Sequence, residues 1–325
     1  MEEVILEIKE LKKYFPLKRD FAFWRFPGEV KAVDGISFSV IRGKTFGLVG
    51  ESGCGKSTIG KIVLKVLKPT SGKVLFMSQD IGGLSGNKLF DFRRHIQAVY
   101  QDPYSSLNPR MCVGDIIGEP MGTLGFLSSK ERKRRVTELL EKVGLTPEHA
   151  RRYPHEFSGG QRQRIGVARA LSVNPSFVVL DEPVSALDVS IRSQILNLLS
   201  DLQDEFRLTY FFISHDLSVV EYFCNHVAVM YLGRIVEMAS KKQLFKNPAH
   251  PYTKALLSAV PIPDPDHAFE VLPLTGEIPS PLNPPRGCCF HPRCPSCTDA
   301  CGSEVPQMEP IEQGHFVACH LSQSL

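Results

Sequence analysis

With 325 residues, 42% of them hydrophobic and 22% charged, the chain has the makeup of one large or two modest globular domains with a sizeable core. A formal net charge of +3 is too small to argue for nucleic acid, and no apolar run approaches the ~18 residues of a membrane span. The acidic start, Met1-Glu2-Glu3-Val4, lacks the apolar stretch of a signal peptide, so a cytosolic location is expected, with docking on a membrane partner still open.

In chain order, Val4–Phe15 and Val30–Ile41 read as paired strands, with Val4, Leu6 and Ile8 alternating in the first and Ile36, Phe38 and Val40 in the second. The aromatic-rich Lys18–Glu29 between them is an insertion in the hairpin. Phe46-Gly47-Leu48-Val49 reads as a buried strand. It feeds Gly50-Glu51-Ser52-Gly53-Cys54-Gly55-Lys56-Ser57-Thr58, which fits G-x-x-x-x-G-K-[S/T], the phosphate-binding P-loop. Glycines at 50, 53 and 55 allow a tight turn in which successive N–H groups point at one anion. The Lys56 ammonium is placed to reach the β- and γ-phosphates and the Ser57 hydroxyl to sit on Mg²⁺. A helix from Thr58 to Leu64 adds its positive end where phosphate would lie. Cys54 fits the turn; a thiol beside phosphate-binding amides is also a candidate for reactivity.

From Val113 to Leu171 the pattern is helical, with Val136, Leu139, Leu140 and Val143 on one face. The basic run Lys130–Arg135 before them reads as a solvated helix face. Phe157-Ser158-Gly159-Gly160-Gln161 places Ser158 as the cap of a helix running through Gln163, Val167 and Leu171. Its paired glycines leave backbone N–H groups uncovered, which makes a second anion site. Phe177–Leu180 and Leu208–Ile213 read as fully buried parallel strands, with an amphipathic helix over Ile191, Ile195, Leu198, Leu199 and Leu202 between them. Buried strands alternating with helices around a P-loop predict an α/β fold with a parallel sheet. Asp181, at a strand end, matches a Walker B carboxylate that would hold Mg²⁺, and Glu182 follows where a carboxylate can deprotonate an attacking water.

After about Val260 the composition changes. Twelve of the 24 prolines fall between Pro261 and Pro310, and six of the nine cysteines between Cys288 and Cys319. Long helices are not expected there. In a reducing compartment such a cysteine cluster suggests metal before disulfides.

Together these motifs resemble the ATP-binding subunit of an ABC transporter, over residues 1 to about 260. Phe157–Gln161, including Ser158, Gly159, Gly160 and Gln161, matches that family's signature. Gln101, after the strand Ile96–Tyr100, matches the Q-loop glutamine, also a magnesium contact. Ser185-Ala186-Leu187-Asp188 matches the D-loop and His215 the switch histidine. Phe15, with Tyr14 as the alternative, matches the aromatic that stacks on adenine. Gly50, Ser52, Gly53, Cys54, Gly55, Lys56, Ser57, Thr58, Gln101, Asp181 and Asp188 complete the implied nucleotide site, with Glu182, His215, Lys56 and Gln101 catalytic. The resemblance implies a P-loop NTPase with a RecA-like parallel-sheet core, an antiparallel β subdomain, a helical subdomain at about 102–172, and a small cysteine- and proline-rich module at 261–325. It implies ATP and Mg²⁺, and ATPase subunits paired head to tail with ATP between the P-loop of one and the signature of the other.

Three segments resemble the oligopeptide/dipeptide/nickel importer branch: Tyr100–Arg110, His250–Leu257 and the proline–cysteine tail. The long first hairpin and Ser280–Pro285 lean toward the F-type ATPase of peptide systems. That implies two transmembrane permease subunits, an extracytoplasmic solute-binding protein acting indirectly, no nucleic acid, and a peripheral position on the cytoplasmic face of the cell membrane. The solute is a di- or oligopeptide by resemblance, with nickel, glutathione or oligosaccharide as alternatives. In this branch the tail resembles a [4Fe–4S] site with Cys288, Cys294, Cys301 and Cys319 as ligands. Cys289 and Cys297 leave the ligand choice open, and Cys294-x-x-Cys297 suits zinc equally. Rival readings are a soluble ABC ATPase acting on nucleic acid or ribosomes, and a nucleotide-binding iron–sulfur sensor.

Overall fold

The computed structural model describes residues 3–17, 28–125, 127–260, 274 and 276–321. Most of the Lys18–Glu29 insertion and the expected boundary between residues 260 and 261 lie outside the described residues. The strands, in chain order, are β1 (Val4–Pro16), β2 (Glu29–Ile41), β3 (Thr45–Val49), β4 (Ser71–Phe76), β5 (Gln79–Asp80), β6 (Ile96–Val99), β7 (Phe177–Asp181), β8 (Thr209–Ser214), β9 (His226–Tyr231), β10 (Arg234–Ser240), β11 (Glu309–Glu312) and β12 (His315–Val317). The chain forms two compact units, each assembled from separated stretches. The first holds Met1–Glu3, Ile41–Thr45 and Gly83–Ile213; the second holds Val4–Val40, Phe46–Gly82 and Ser214–Leu325.

In the first unit β6, β7 and β8 run parallel, Ile96 opposite Phe177 and Phe177 opposite Thr209. Phe177–Leu180 and all of β8 are buried, which is why these segments appear as unbroken apolar runs rather than alternating ones. Parallel neighbours need crossovers, and the helices Gly159–Leu171 and Val189–Phe206 lie in them. The second buries Ile195, Leu196, Leu199 and Leu202, and Tyr210 of β8 donates its hydroxyl to the Leu199 carbonyl at 2.9 Å. Each such fully buried aliphatic side chain contributes about 1.5–3 kcal/mol of transfer free energy. The helices Val113–Thr123, Ser129–Lys142 and Gly159–Leu171 pack on one another, as the helical pattern predicts. Ser129–Lys142 starts from a capping box between Ser128 and Glu131 and buries Val136, Leu139 and Leu140. Its basic run is a solvated face, with Arg134 paired to Glu138 at 2.9 Å.

In the second unit β2, β1, β4 and β5 form a four-stranded sheet in that order, with Ile36, Phe38 and Val40 buried as their alternation predicts. A second run, β11-β12-β10-β9-β3, pairs β3 with β9 in parallel and the rest antiparallel. The proline-rich tail is thus built into this unit. Its hairpin of β11 and β12 docks along β10, with Val317 opposite Glu237. Past Val260 the described helix is the five-residue Asp299–Ser303, as expected of so many prolines. Phe290 anchors the tail, 1% exposed, its ring 5.3 Å from Tyr231, 5.4 Å from Tyr252 and 5.6 Å from His250. Among the described residues no helix is long and apolar enough to cross a membrane.

Candidate functional site

The sequence-predicted site residues divide between the two units. The second unit carries the phosphate loop between β3 and the helix Lys56–Val63. Gly50, Gly53 and Gly55 all take positive φ (152°, 80° and 110°). At Gly55 the need is doubled: φ is left-handed, and a Cβ would lie 2.0 Å from the Ala32 carbonyl oxygen. Lys56 is 4% exposed, and its ammonium donates to the Gly50 and Glu51 carbonyls at 2.7 and 2.9 Å. The cation is therefore folded back over the loop. Ser52 and Gly53 are exposed, and Gly55, Ser57 and Thr58 half-buried.

Cys54 is buried, with its Sγ 3.7 Å from Lys56 Nζ. Burial pushes its thiol up, against the opposing Lys56 charge, so the residue serves packing rather than reactivity.

The same unit separates the two adenine candidates. The Tyr14 hydroxyl donates to Asp34, which also takes a forked contact from Arg234 at 2.7 and 3.1 Å. Burial and the Asp34 carboxylate push the Tyr14 phenol up to about 12. Tyr14 is thus committed to a structural network. Phe15 is 36% exposed, with the Lys13 ammonium 5.0 Å from its ring centroid. His215 is exposed, and Asp216 beside it caps the helix Leu217–Phe223.

The first unit carries the acidic and signature elements. Asp181 ends β7 opposite Ile213, and the Glu182 N–H continues the ladder to the Ile213 carbonyl at 3.0 Å. Glu182 takes φ of 49°, a left-handed conformation that costs a non-glycine residue about 1 kcal/mol or more. It turns the chain sharply at the strand end. The Gln101 amide donates to Glu182 Oε2 at 3.0 Å, so two residues predicted 81 positions apart are brought together.

Ser158 caps the helix Gly159–Leu171, its Oγ accepting from the Gln161 N–H at 3.3 Å while Gln161 Oε1 accepts from the Ser158 N–H at 3.0 Å. This reciprocal pair is worth on the order of 1 kcal/mol and leaves the glycine N–H groups at an uncovered helix start. Gly160 answers to close packing: a Cβ there would lie 2.5 Å from Ile191 Cγ2. Asp188 is exposed at the start of the helix Val189–Phe206 and makes no side-chain cap. Three contacts not foreseen from sequence tie the signature helix to the segment after β6. Gln163 donates to the Tyr100 carbonyl at 3.3 Å, Arg169 donates to the Ser106 carbonyl at 2.5 Å, and the Arg162 guanidinium lies 3.8 Å from the Tyr104 ring centroid.

The tail's cysteines are all free thiols. Burial pushes Cys288 up to about 11, with Cys301, Cys289 and Cys319 adding to the rise. Burial likewise raises Cys294, helped by Cys319, Cys301 and Cys297, and raises Cys319, helped by Cys301. Cys301 and Cys319 thus act on both Cys288 and Cys294, and the Cys288 N–H donates to the Cys301 carbonyl at 2.9 Å. Cys289 instead faces Arg234, Asp34 and Lys31, and Cys297 is exposed. Among the described residues no group of three or more His, Cys, Asp or Glu side chains is arranged to hold a metal ion.

Residues 33–185 match the family described as ABC transporter, and residues 236–301 match the oligopeptide/dipeptide transporter C-terminal region. The chain is 54% identical over 323 residues to the oligopeptide transport ATP-binding protein AppF of Bacillus subtilis (strain 168), covering 98% of each chain. It is 52% identical to a probable peptide ABC transporter ATP-binding protein, y4tS, of Sinorhizobium fredii, over 99% of this chain and 91% of that one. Among solved structures it resembles cbiO1 of Clostridium perfringens, part of the ABC transporter complex cbiONQ, with TM-score 0.63, 30% identity and coverage of 76% of this chain and 92% of that one. It also resembles a dimeric ATP-binding cassette in a post-hydrolysis state with ADP and Pi, with TM-score 0.64, 27% identity and coverage of 73% and 99%. By its phosphate loop, its signature helix cap and this likeness along its whole length, the chain belongs to the ABC transporter family, among the ATP-binding subunits of the oligopeptide and peptide importer type.

Proposed function

We propose that this chain binds and hydrolyses ATP to power the import of di- or oligopeptides through membrane subunits encoded elsewhere. The observation that carries this reading is the near-complete coverage at 54% identity by a protein named for oligopeptide transport. The geometry agrees with it, because Gln101 holds Glu182 at a sharply turned strand end. In this reading Lys56 and the loop N–H groups from Ser52 to Thr58 bind the β- and γ-phosphates, and Phe15 stacks on adenine. Ser57, Gln101 and Asp181 would hold Mg²⁺, which neutralises charge on the phosphate oxygens when bound. Glu182 takes a proton as water oxygen bonds to the γ-phosphorus and the bond to ADP breaks. Lys56, His215 and the partner's Ser158 stabilise the charge on the transferring phosphoryl group, while the partner's Gly159, Gly160, Gln161 and Asp188 line the nucleotide site. Residues 1–260 act as the ATPase cassette and 261–325 as its extension.

The working assembly is a pair of such ATPases on two permease subunits, at the cytoplasmic face of the membrane, served indirectly by a solute-binding protein. ATP turnover measured with the membrane subunits in vesicles tests this. Stimulation by those subunits and by peptide is expected. Turnover indifferent to them, yet raised by nucleic acid or ribosomes, would remove the reading, and stimulation by nickel, glutathione or oligosaccharide alone would change the solute.

A second proposal concerns the tail: Cys288, Cys294, Cys301 and Cys319 hold a [4Fe–4S] cluster. The backbone bond from Cys288 to Cys301 at 2.9 Å, together with the effect of Cys301 and Cys319 on Cys288 and Cys294, supports it. Loading requires deprotonating thiols that burial has raised, so metal uptake releases protons and is favoured by rising pH. Iron and acid-labile sulfide in protein purified without oxygen are the expected result. Stoichiometric zinc, or no metal, would refute it.

A further inference from the structure

Glu51, the residue after Gly50 in the phosphate loop, has all its polar groups engaged. Its N–H donates to the Tyr252 hydroxyl at 3.0 Å. Its carbonyl accepts from Lys56 Nζ at 2.9 Å and from the Cys54 N–H at 3.3 Å. Its carboxylate receives both arms of the Arg293 guanidinium, Nη1 to Oε2 at 2.9 Å and Nη2 to Oε1 at 3.1 Å. Arg293 lies 242 residues away in sequence, in the cysteine-rich tail, yet both residues belong to the second unit.

The arginine is held there by construction. It ends the 3₁₀ turn His291–Arg293, directly after Phe290, whose ring is sunk among Tyr231, Tyr252 and His250. Its Nη1 also reaches the Tyr231 hydroxyl at 3.4 Å. The Arg293 side chain is 6% exposed and that of Glu51 20%, so water screens the pair only in part. A phosphate loop serves a polyanion, and an acid within it opposes that purpose unless its charge is matched. A forked guanidinium–carboxylate contact is the strongest match available to side chains.

We propose that Arg293 is a positioning residue of the nucleotide site, which holds the Glu51 carboxylate as a matched pair so that the loop meets a triphosphate without an uncompensated negative charge. This rests on the ATP-binding reading above. It makes the net charge at positions 51 and 293, rather than the bond between them, the quantity that sets affinity.

The test is the dissociation constant of Mg-ATP, measured by calorimetry on the full chain at low and high salt. Arg293→Gln is expected to weaken binding about tenfold at low salt, the gap narrowing as salt rises. Glu51→Gln is expected to bind no more weakly than wild type, and the double variant to return within about threefold of it. If the pair were only a structural brace, either single variant would weaken binding alike and the double variant would rescue nothing; that pattern, or an unchanged Arg293→Gln, overturns the proposal. Should Arg293→Gln not fold, Glu51→Gln decides alone, since weaker binding there contradicts the charge argument. A wild-type chain that fails to bind Mg-ATP overturns the ATP-binding reading as well, whereas normal wild-type binding with an unchanged Arg293→Gln overturns this inference only.

Discussion

Acid should destabilise this protein through His250, and the amount follows from its surroundings. The imidazole is 1% exposed, packs against Phe290, and accepts the Tyr252 N–H on Nδ1 at 3.0 Å. Burial lowers its pKa from 6.5 to about 4, although the nearby Glu237 pulls the other way. Well above pH 6.5 the ring is neutral whether folded or unfolded and contributes no pH dependence. Below that, the unfolded chain takes up a proton that the folded chain refuses, so stability falls as pH drops toward 4. A shift of this size is worth about 3 kcal/mol in full, of which about 2 kcal/mol is lost by pH 5. Glu237 does not confuse the measurement. Burial opposes its ionisation, but hydrogen bonds from His315, Ala249 and His250 outweigh this and lower its pKa, so its contribution is lost only below about pH 4.3. Urea unfolding followed by circular dichroism at pH 7 and pH 5 reads the effect. His250→Asn keeps an acceptor for the Tyr252 N–H and does not titrate. Wild type should lose about 2 kcal/mol more than this variant between the two pH values. Equal losses would refute the argument.

Glu182→Gln should leave Mg-ATP binding intact and lower turnover roughly 10²-fold or more, as expected for removal of a general base; near-normal turnover would remove that role. Gly55→Ala combines left-handed strain with a 2.0 Å approach to the Ala32 carbonyl, so a loss of at least about 2 kcal/mol is expected in urea unfolding, with loss of ATP binding. Retained affinity would show that the loop relaxes around the methyl group. Iodoacetamide at neutral pH should spare Cys54, which is buried with a raised pKa, while modifying the exposed Cys297. Equal rates by mass spectrometry would contradict the described burial.

The elements that announce themselves in the sequence do so because burial is uniform within them. β3, β7 and β8 are short, mostly apolar runs whose length and β-branched or aromatic content suit a buried strand. The Ser158 cap and the positive-φ glycines are legible for the same reason, since local geometry dictates the residue type. Long-range partners leave no such trace. Neither the Gln101–Glu182 contact nor the Arg293–Glu51 pair carries a periodicity, and the second spans 242 positions. The tie from Tyr14 to Asp34 and Arg234 was invisible in sequence for the same reason, since those residues lie on other strands. Likewise no alternation in the proline-rich tail points to β11 and β12, whose place is set by pairing with β10. The motif His250–Leu257 gains a physical meaning from the fold. His250 starts the helix, Tyr252 steadies the phosphate loop, and both line the pocket for Phe290.

The docking of β12 on β10 also governs how the chain can be shortened. Without the tail, β10 becomes the rim of its sheet, with an idle row of amide and carbonyl groups. Glu237, now sealed in and bonded to His315, would lose that partner and open toward water. A cassette cut at residue 260 should therefore be sticky, adding foreign strands along the bared rim, even though every phosphate-contacting segment is intact. The cysteine-rich extension is in this sense a built-in guard rail.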